Sequence, residues 1–382
     1  MKLRLVILTE IISPYRIPLF NALARNPEVD LHVIFLAETD PTLRQWRVYT
    51  EEIRFSHQVL RSWRKQVGPY NVLLNRGVGH ALDAASPNAI LCGGYNYVAY
   101  WQTLLWAKSH KVPFLLWSES NQYELRRGHA LVEFLKSEFI SRCDAFVVPG
   151  LWAQEYLRIL KVKDELIFTA PNAVDNELFG DAAAKARRNS ADCRRDLGLP
   201  ERYFLFVGRL VREKGVFELV SAYAKLDEKI RSQISLVFVG DGVCREQLQR
   251  EAASISPGRI QFAGFAHREQ LAAYYALAEM LILPTYTDTW GLVVNEAMAC
   301  GLPIILSRAA GCGPDLVKEN WNGLFVPPRD VSSLIVAMMA LATQPDLREM
   351  MGKNSFQLVS QFSPVAWSQA VAGALQTTVS HD

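Results

Sequence analysis

The sequence predicts an α/β protein with two domains, each built on a parallel sheet that helices cover on both faces. Short apolar runs alternate with helical patterns along the 382 residues. Such alternation is typical of strand–helix–strand units, in which the strands are buried on both faces. The chain is also longer than one ordinary hydrophobic core requires, so two domains are expected.

The first part of the chain, residues 1–170, is predicted to be a Rossmann-like, doubly wound domain. Its candidate strands are Leu3–Thr9, Leu31–Leu36, Ile53–Leu60, Ala89–Gly93, Phe114–Trp117, Ala145–Val148 and Leu166–Thr169. The helical patterns between them include Pro18–Arg25, Val98–His110, Ala130–Arg142 and Trp152–Leu160.

The alternation stops over residues 171–199, where Ala-rich, Arg-rich and Asp-rich pieces have no clear apolar period. We therefore expect this stretch to be an interdomain connection. Alternation resumes over 200–362 and predicts a second Rossmann-like domain. Its candidate strands are Phe204–Val207, Leu236–Val239, Ile260–Ala263, Met280–Leu283, Ile304–Leu306 and Leu324–Val326. The last pattern, residues 363–382, is expected to be a helix that crosses back to the first domain.

Composition excludes several classes of protein. The net charge of +2 gives no argument for nucleic-acid binding. No apolar run approaches the ~18 residues of a membrane span, and the basic-then-apolar start is too short for a signal peptide, so a cytoplasmic protein is expected. The six cysteines form no CxxC pair, which favours buried small hydrophobic residues over disulfides or zinc ligands.

Two carboxylates, Asp288 and Glu296, follow the predicted strand Met280–Leu283. Asp288 lies on a loop, whereas Glu296 lies one turn inside a helix that is apolar nearly all round and therefore buried. A buried carboxylate needs a polar partner, and a ligand hydroxyl is one candidate. Such a pair suggests acid–base chemistry, but this placement fits recognition of sugar hydroxyls better.

The residues between these carboxylates contribute further candidates. Trp290 either stacks on a sugar or fills the core. Gly291 and Leu292 open the helix, where free amides can hold a phosphate.

A glycine-flanked basic loop follows the strand Phe204–Val207. Arg209 and Lys214, with Gly208 and a helix start, form either a diphosphate cradle or a solvated basic loop. Phe265, at the end of a later strand, packs either on a nucleobase or in the core.

Together these motifs resemble the family 4 retaining glycosyltransferases of GT-B architecture. The family signature has two carboxylates eight positions apart around Phe-Gly-Leu or similar, followed by Ala-Met-Ala-x-Gly-x-Pro, and Asp288–Pro303 has this form. Gly208–Leu210 and Lys214–Gly215 are similar to the family's phosphate-binding Gly-Arg-Leu and Lys-Gly. Residues 171–179 are similar to its interdomain Pro-Asn-Gly-Val-Asp and Phe.

The resemblance implies two domains facing across a cleft, with the acceptor on the first and the nucleotide-sugar held mainly by the second. Arg209 and Lys214 would neutralise the leaving diphosphate, Glu296 would hold the ribose hydroxyls, and Asp288 would meet hydroxyls of the transferred sugar. Backbone around Gly291 and Leu292 would contact that sugar, with Phe265 near the base. The family uses the nucleotide-sugar as co-substrate and generally needs neither a cofactor nor a metal.

The chain departs from the family pattern at several positions. Asp288 replaces the usual Glu and reaches one methylene less, which bears on the choice of donor sugar. The histidine that many members carry at a strand end of the first domain is not found there, and Glu119 follows one such strand. Glu119 either orients the acceptor hydroxyl or stabilises positive charge at the sugar carbon; otherwise it is a capping or salt-bridged residue. Tyr15 and Arg16 are weaker acceptor-side candidates.

The resulting prediction is a retaining hexosyltransferase that moves a sugar from a nucleotide diphosphate to a hydroxyl acceptor. The resemblance implies a lipid-linked or envelope saccharide as acceptor, hence polysaccharide biosynthesis at the inner face of the membrane. Trp63, flanked by Arg61, Arg64 and Lys65, fits contact with an anionic bilayer, or an ordinary mixture of core and surface residues. The alternatives are another GT-B enzyme, such as a sugar-nucleotide epimerase, and a non-catalytic nucleotide-sugar binding protein.

Overall fold

The computed structural model describes residues 2–40, 47–67, 70–123 and 130–380. These residues form two compact units. The first unit holds the described residues of Met1–Gln122, Arg126–Ala173 and Pro364–Asp382. The second unit holds those of Tyr123–Leu125 and Val174–Ser363.

The first unit is organised around a parallel sheet. Its elements in chain order are β1 (Leu3–Thr9), α1 (Ile17–Arg25), β2 (Val29–Phe35), β3 (Ser56–Val59), β4 (Ser62–Val67), β5 (Tyr70–Asn75), α2 (Val78–Ala85), β6 (Ala89–Cys92), α3 (Val98–His110), β7 (Phe114–Trp117), α4 (Ala130–Ser141), β8 (Ala145–Val148), α5 (Leu151–Ile159) and β9 (Ile167–Thr169). The strand order is β3-β2-β1-β6-β7-β8-β9, with parallel pairing throughout. β4 and β5 form a separate antiparallel hairpin. The order reverses between β1 and β6.

The alternation of side chains along β1 places apolar residues in two separate cores. Val6 and Leu8 pack in one core with residues of α2, α3 and α5. Leu5 and Ile7 pack in the other with residues of α1. Successive strand residues point to opposite faces, so a continuous apolar run such as Leu5–Leu8 is the pattern expected for a sheet covered on both sides.

The second unit contains a parallel sheet of a similar kind. Its elements are α6 (Asn176–Arg188), α7 (Ser190–Leu197), β10 (Tyr203–Val207), α8 (Val216–Ala224), α9 (Glu228–Arg231), β11 (Ser235–Val239), α10 (Arg245–Ile255), β12 (Ile260–Gly264), α11 (Arg268–Ala276), β13 (Met280–Leu283), α12 (Leu292–Ala299), β14 (Ile304–Ser307), α13 (Gly313–Leu316), β15 (Gly323–Val326), α14 (Val331–Thr343) and α15 (Pro345–Val359). The strand order is β12-β11-β10-β13-β14-β15. The order reverses between β10 and β13.

The last helix, α16 (Pro364–Ser380), packs against α1 of the first unit. Trp367 at its start is fully buried, with its ring centroid 5.9 Å from that of Phe20 and 5.2 Å from that of Trp117. This aromatic cluster joins the end of the chain to the core beneath β7.

The stretch 171–199, expected to be a connection, instead contributes two helices to the second unit. α6 buries Phe179, Ala183 and Ala186, which share one helical face. Two of these residues are alanines, so the apolar period is weak in the sequence. The Asp175 carboxylate caps α6 by accepting a hydrogen bond from the Leu178 amide at 3.0 Å.

The prediction of an α/β fold with two doubly wound parallel sheets is confirmed. The predicted strands recur with ends shifted by up to three residues, as β3 shows against Ile53–Leu60. The hairpin β4–β5 and helix α2 were not predicted. In β4 the sequence SWRKQV contains two cations and two other polar residues, so it does not read as an apolar run.

Candidate functional site

The candidate donor site lies on the loops that follow β10 and β13, on either side of the reversal in strand order. In doubly wound sheets, ligands bind outside the carboxyl ends of the strands at this point. Lys214 lies on the first loop and Asp288 on the second. Lys214 Nζ and Asp288 Oδ2 are 2.5 Å apart, and each side chain is 15% exposed. Folding thus brings two predicted site residues into a direct ion pair.

Backbone contacts hold these two loops together. The Glu213 carbonyl accepts hydrogen bonds from the Tyr286 amide at 2.7 Å and from Thr285 Oγ1 at 3.0 Å. Gly215 has φ +68°, and a Cβ there would lie 2.1 Å from the Pro284 carbonyl oxygen. Only glycine permits this approach, which fixes the backbone beside Lys214.

The loop that carries Asp288 is also tied to the loop after β14. The Asp288 amide donates to the Ala309 carbonyl at 3.3 Å, and the Asp288 carbonyl accepts from the Gly311 amide at 3.0 Å. The carboxylate therefore projects from a backbone held on two sides.

Trp290 is part of the core of the second unit. Its side chain is 3% exposed, and its Nε1 donates to Asn295 Oδ1 at 2.9 Å. Of the two predicted roles, filling the core fits this placement, whereas stacking on a sugar would need an exposed ring face. The hydrogen bond to Asn295 of α12 holds the ring in the core of the second unit.

Gly291, the N-cap residue just before α12, lies in the left-handed region with φ +100°. A Cβ on Gly291 would lie 3.5 Å from Asp288 Oδ2. The amides of Leu292 and the following residues therefore open a helix close to the ion pair, and a helix start carries partial positive charge. The predicted sugar contacts of Gly291 and Leu292 stay predictions.

Glu296 is completely buried in α12, as expected, but a protein side chain supplies the polar partner. The Tyr275 hydroxyl donates to Glu296 Oε2 at 2.6 Å. Oε1 has no hydrogen-bond partner within the described part of the chain. Burial raises the pKa of Glu296 to about 7, and the hydrogen bond from Tyr275 opposes that shift. A second acceptor oxygen therefore remains for a donor group, and the predicted contact with ribose stays a prediction.

Arg209 and Phe265 also follow strands of this sheet. Arg209 is exposed, and the residues that the structure describes give it no ion pair. Phe265, just beyond β12, is 41% exposed. Gly208, with φ +151°, lets the chain leave β10 beside Gly240, where a Cβ would lie 2.0 Å from the Gly208 carbonyl oxygen. Arg209 and Phe265 thus follow β10 and β12 at the carboxyl edge of this sheet, and the predicted contacts with a diphosphate and a base stay predictions.

A second cluster of predicted residues occupies the carboxyl edge of the first unit's sheet. The Arg16 guanidinium lies 4.2 Å above the Trp117 ring, and its Nη1 donates to Thr9 Oγ1 at 2.8 Å. Thr9 ends β1 and Trp117 ends β7. Stacking and hydrogen bonding together fix the guanidinium plane. Tyr15, half-buried, precedes Arg16 in the turn before α1.

Glu119 is held between Arg16 and Asn172. Its Oε2 lies 3.7 Å from Arg16 Nη2, and its Oε1 accepts from Asn172 Nδ2 at 3.1 Å. The side chain is 31% exposed. The structure therefore shows the salt-bridged arrangement that the sequence left as an alternative, with the carboxylate still accessible. The catalytic role of Glu119 stays a prediction.

Sequence reasoning missed three polar contacts, those of Glu119 with Asn172, of Glu296 with Tyr275 and of Lys214 with Asp288. It assigned no role to Asn172 or Tyr275, and it placed Lys214 and Asp288 on different parts of a ligand. An amide three residues beyond the strand β9 and a tyrosine pair in α11 were the available signals. Neither signal identifies a partner, because each pair joins residues at least 21 positions apart.

No described helix has the length and apolar character needed to cross a membrane. The described residues also contain no group of three or more His, Cys, Asp or Glu side chains arranged to hold a metal ion.

The loops that carry Lys214 and Asp288 lie in a region of the chain that is similar to known glycosyltransferases. The family model for glycosyl transferases group 1 matches residues 191–358, within the second unit. The chain is 33% identical over 214 residues to a D-inositol 3-phosphate glycosyltransferase of Corynebacterium jeikeium, covering 54% of this chain and 50% of that protein. The chain thus spans about half the length of the curated relatives it matches.

Solved structures are similar over nearly the whole chain. Sucrose-phosphate synthase from Thermosynechococcus elongatus superposes with a TM-score of 0.72 at 23% identity, covering 99% of this chain and 100% of that one. Anabaena HepE in complex with UDP-glucose gives 0.76 at 17% identity, covering 98% and 100%. At these identities the likeness establishes the fold, and it confirms the predicted GT-B class with two Rossmann-like units.

Proposed function

We propose that this chain is a retaining glycosyltransferase that moves a hexose-type sugar from a nucleotide diphosphate to a hydroxyl acceptor. The observation that carries the proposal is the Lys214–Asp288 pair at the strand-order reversal of the second unit. It lies within the region that matches glycosyl transferases group 1. The named donor complex of Anabaena HepE supports UDP-sugars as the first donors to test.

In the proposed reaction, the donor separates this ion pair. The diphosphate takes Lys214 as its cation together with Arg209, and Asp288 turns to hydroxyls of the transferred sugar. The bond from the anomeric carbon to the diphosphate oxygen breaks, and its electron pair leaves with the diphosphate. The acceptor oxygen attacks the same face of the sugar, and its proton passes to the leaving phosphate. Two cations and a helix start then stabilise the charge that develops, without a metal ion.

The acceptor is proposed to bind the first unit at the cluster of Arg16, Glu119 and Asn172. Glu119 is fixed on one side by a cation and on the other by an amide. A carboxylate held in this way can accept a hydrogen bond from the acceptor hydroxyl and orient it, with Tyr15 alongside. We propose a lipid-linked or envelope saccharide as the acceptor, and peripheral contact with the inner face of an anionic membrane.

Replacing Lys214 tests the proposal. Lys214→Ala removes a cation that stabilises the leaving diphosphate, and loss of one such group lowers turnover by about a hundredfold or more. Turnover is followed as release of nucleoside diphosphate from a panel of nucleotide-sugars with an acceptor mixture. Lys225→Ala, which removes an exposed cation at the end of α8, is the matched control and should keep full activity.

Unchanged turnover in Lys214→Ala would overturn the assignment. Omitting the acceptor separates the alternatives. Without acceptor, a transferase releases nucleoside diphosphate only by slow hydrolysis of the donor. An epimerase interconverts sugar nucleotides at the same rate with or without the acceptor. A non-catalytic binding protein would bind the donor and release nothing under either condition.

A further inference from the structure

The hairpin β4–β5 has one face that anchors it to the first unit. Arg64 on this face pairs with Asp40, and its Nη2 lies 3.4 Å from Glu10 Oε1. Leu73 is 1% exposed, and Asn75 Nδ2 donates to the Leu36 carbonyl at 2.6 Å. Arg64 therefore faces inward, and the expectation that it lies beside Trp63 on a basic surface is wrong.

The opposite face of the hairpin is exposed and combines an aromatic residue with cations. Trp63 and Leu74 are directly opposed across the two strands and are 54% and 42% exposed. Lys65 stands opposite Val72. One step beyond the strands, the Arg76 amide donates to the Arg61 carbonyl at 3.2 Å, so two exposed arginines face each other. We name these six residues the hairpin face.

All charges on the hairpin face have the same sign. Like charges directly opposite each other weaken a strand pair, and an exposed Trp–Leu pair leaves apolar surface in water. Neither feature stabilises the isolated hairpin. A partner that is both anionic and apolar would relieve both costs together.

An apolar cavity begins where the hairpin ends. Its volume is about 390 Å³, and Gly77, Val78, Leu105 and Trp106 contribute to its lining. Leu105, on α3, is 55% exposed. α3 packs against β5, so this cavity adjoins the end of the hairpin.

We infer that the hairpin face docks the protein on an anionic lipid bilayer. The Trp63 ring would lie at the level of the headgroups, and Arg61, Lys65 and Arg76 would meet lipid phosphates. The proposed function includes contact with a membrane, and the inference assigns that contact to the hairpin face. It rests on the membrane contact of the proposed function and does not depend on sugar transfer. A bilayer fits better than an acidic polymer because the cations surround an apolar centre.

Vesicle sedimentation tests the inference with the full chain. The vesicles contain phosphatidylcholine alone, or with about one third phosphatidylglycerol to supply anionic charge. We expect binding to the anionic vesicles only, weakening as salt rises. Arg61→Ser, Lys65→Ser and Arg76→Ser combined should weaken it roughly a hundredfold, at roughly fivefold per cation. Trp63→Ala should weaken it roughly tenfold through lost apolar burial.

The matched control combines Lys2→Ser, Arg25→Ser and Lys163→Ser, which removes three exposed cations from elsewhere in the same unit. It changes the net charge equally and should keep vesicle binding. Melting curves of all variants verify folding. The inference would be overturned if this control lost as much vesicle binding as the hairpin variant. It would also be overturned if the protein bound vesicles equally with and without phosphatidylglycerol. Binding to soluble polyglutamate without binding to vesicles would overturn it as well.

Donor turnover, measured with the same variants in detergent, separates this inference from the proposed function. Hairpin variants that no longer bind vesicles but keep donor turnover would support both the docking face and the proposed transferase. Vesicle binding in a chain that transfers no sugar would support the docking face and reject the transferase.

Discussion

Glu296 shows how burial sets the ionisation of a single residue. Its carboxyl group has no exposed surface, so the charged form is disfavoured and its pKa rises from 4.5 to about 7. The unfolded chain loses this proton near its ordinary pKa, whereas the folded protein keeps it until about 7. Between these values the folded state binds more protons, so the free energy of unfolding falls as pH rises.

Glu296→Gln should remove this pH dependence. The glutamine is neutral at every pH, and its carbonyl can still accept the hydrogen bond from Tyr275. Near pH 4 the variant should match the parent protein, whereas near pH 8 it should be more stable by about 3 kcal/mol. Urea unfolding across this range measures the difference, with Glu177→Gln on the exposed side of α6 as control. Parallel pH profiles for parent and variant would contradict the pKa shift.

The ion pair between Lys214 and Asp288 shows what a residue does before its ligand arrives. Both side chains are mostly buried, so each would be costly without the other. The pair holds the lysine ammonium in position at the strand-order reversal. In the proposed reaction, the incoming diphosphate takes the place of the Asp288 carboxylate beside Lys214. The lysine therefore has an anionic partner before and after the donor binds.

At the scale of elements, the site depends on loops that approach each other more closely than side chains allow. The loop after β10 passes the end of β13 at Gly215, where no room remains for a Cβ. The same loop meets the end of β11 through Gly240. These glycines let three strand ends meet at one edge, which places Lys214 beside Asp288.

Gly215→Ala should therefore be more harmful than its backbone conformation alone implies. A left-handed alanine costs about 1 to 2 kcal/mol, and displacing the Pro284 carbonyl should bring the loss of unfolding free energy to at least about 3 kcal/mol. Gly258→Ala is the control, since Gly258 has φ +75° with open space around it. Chemical denaturation measures both. Equal losses would show that the contact with Pro284 relaxes freely.

At the scale of the whole molecule, the end of the chain belongs to the first unit. α16 follows the second unit in sequence, yet Trp367 lies in the aromatic cluster with Phe20 and Trp117. Trp117 also carries the Arg16 guanidinium on its ring. The last helix therefore contacts the proposed acceptor cluster through Trp117, which packs against Trp367 and carries Arg16 on its ring.

Trp367→Ala should destabilise the first unit by about 3 to 5 kcal/mol, because it leaves a large cavity in a buried core. Trp367→Phe should cost far less, since it keeps a ring and removes an indole N–H that has no partner among the described residues. Hydrogen exchange of peptides from β1 and β7, compared with β10, measures the effect locally. Equal protection loss in β10 would contradict the assignment of α16 to the first unit.

Element prediction succeeded where burial on both faces makes a strand continuously apolar, as in Tyr203–Val207. It failed for the hairpin β4–β5, because one face of this hairpin packs against the first unit and the other face is exposed. Cations and apolar residues occur on both faces, so the sequence shows no apolar run. It also failed for α6, whose core face is mostly alanine. In both cases the packing of neighbouring elements, which local pattern does not contain, decides the structure.

The sequence by itself determined the α/β class and which residues stand at strand ends, because strand periodicity and motif spacing are local properties. It placed Arg209, Lys214, Asp288 and Glu119 on segments that follow strands, where the structure also has them. Only the tertiary structure decided the partners of Lys214, Asp288 and Glu119. Lys214 meets Asp288 across 74 positions because β10 and β13 are neighbours in the sheet. Sheet order is non-local, so it is the fold that pairs these charges.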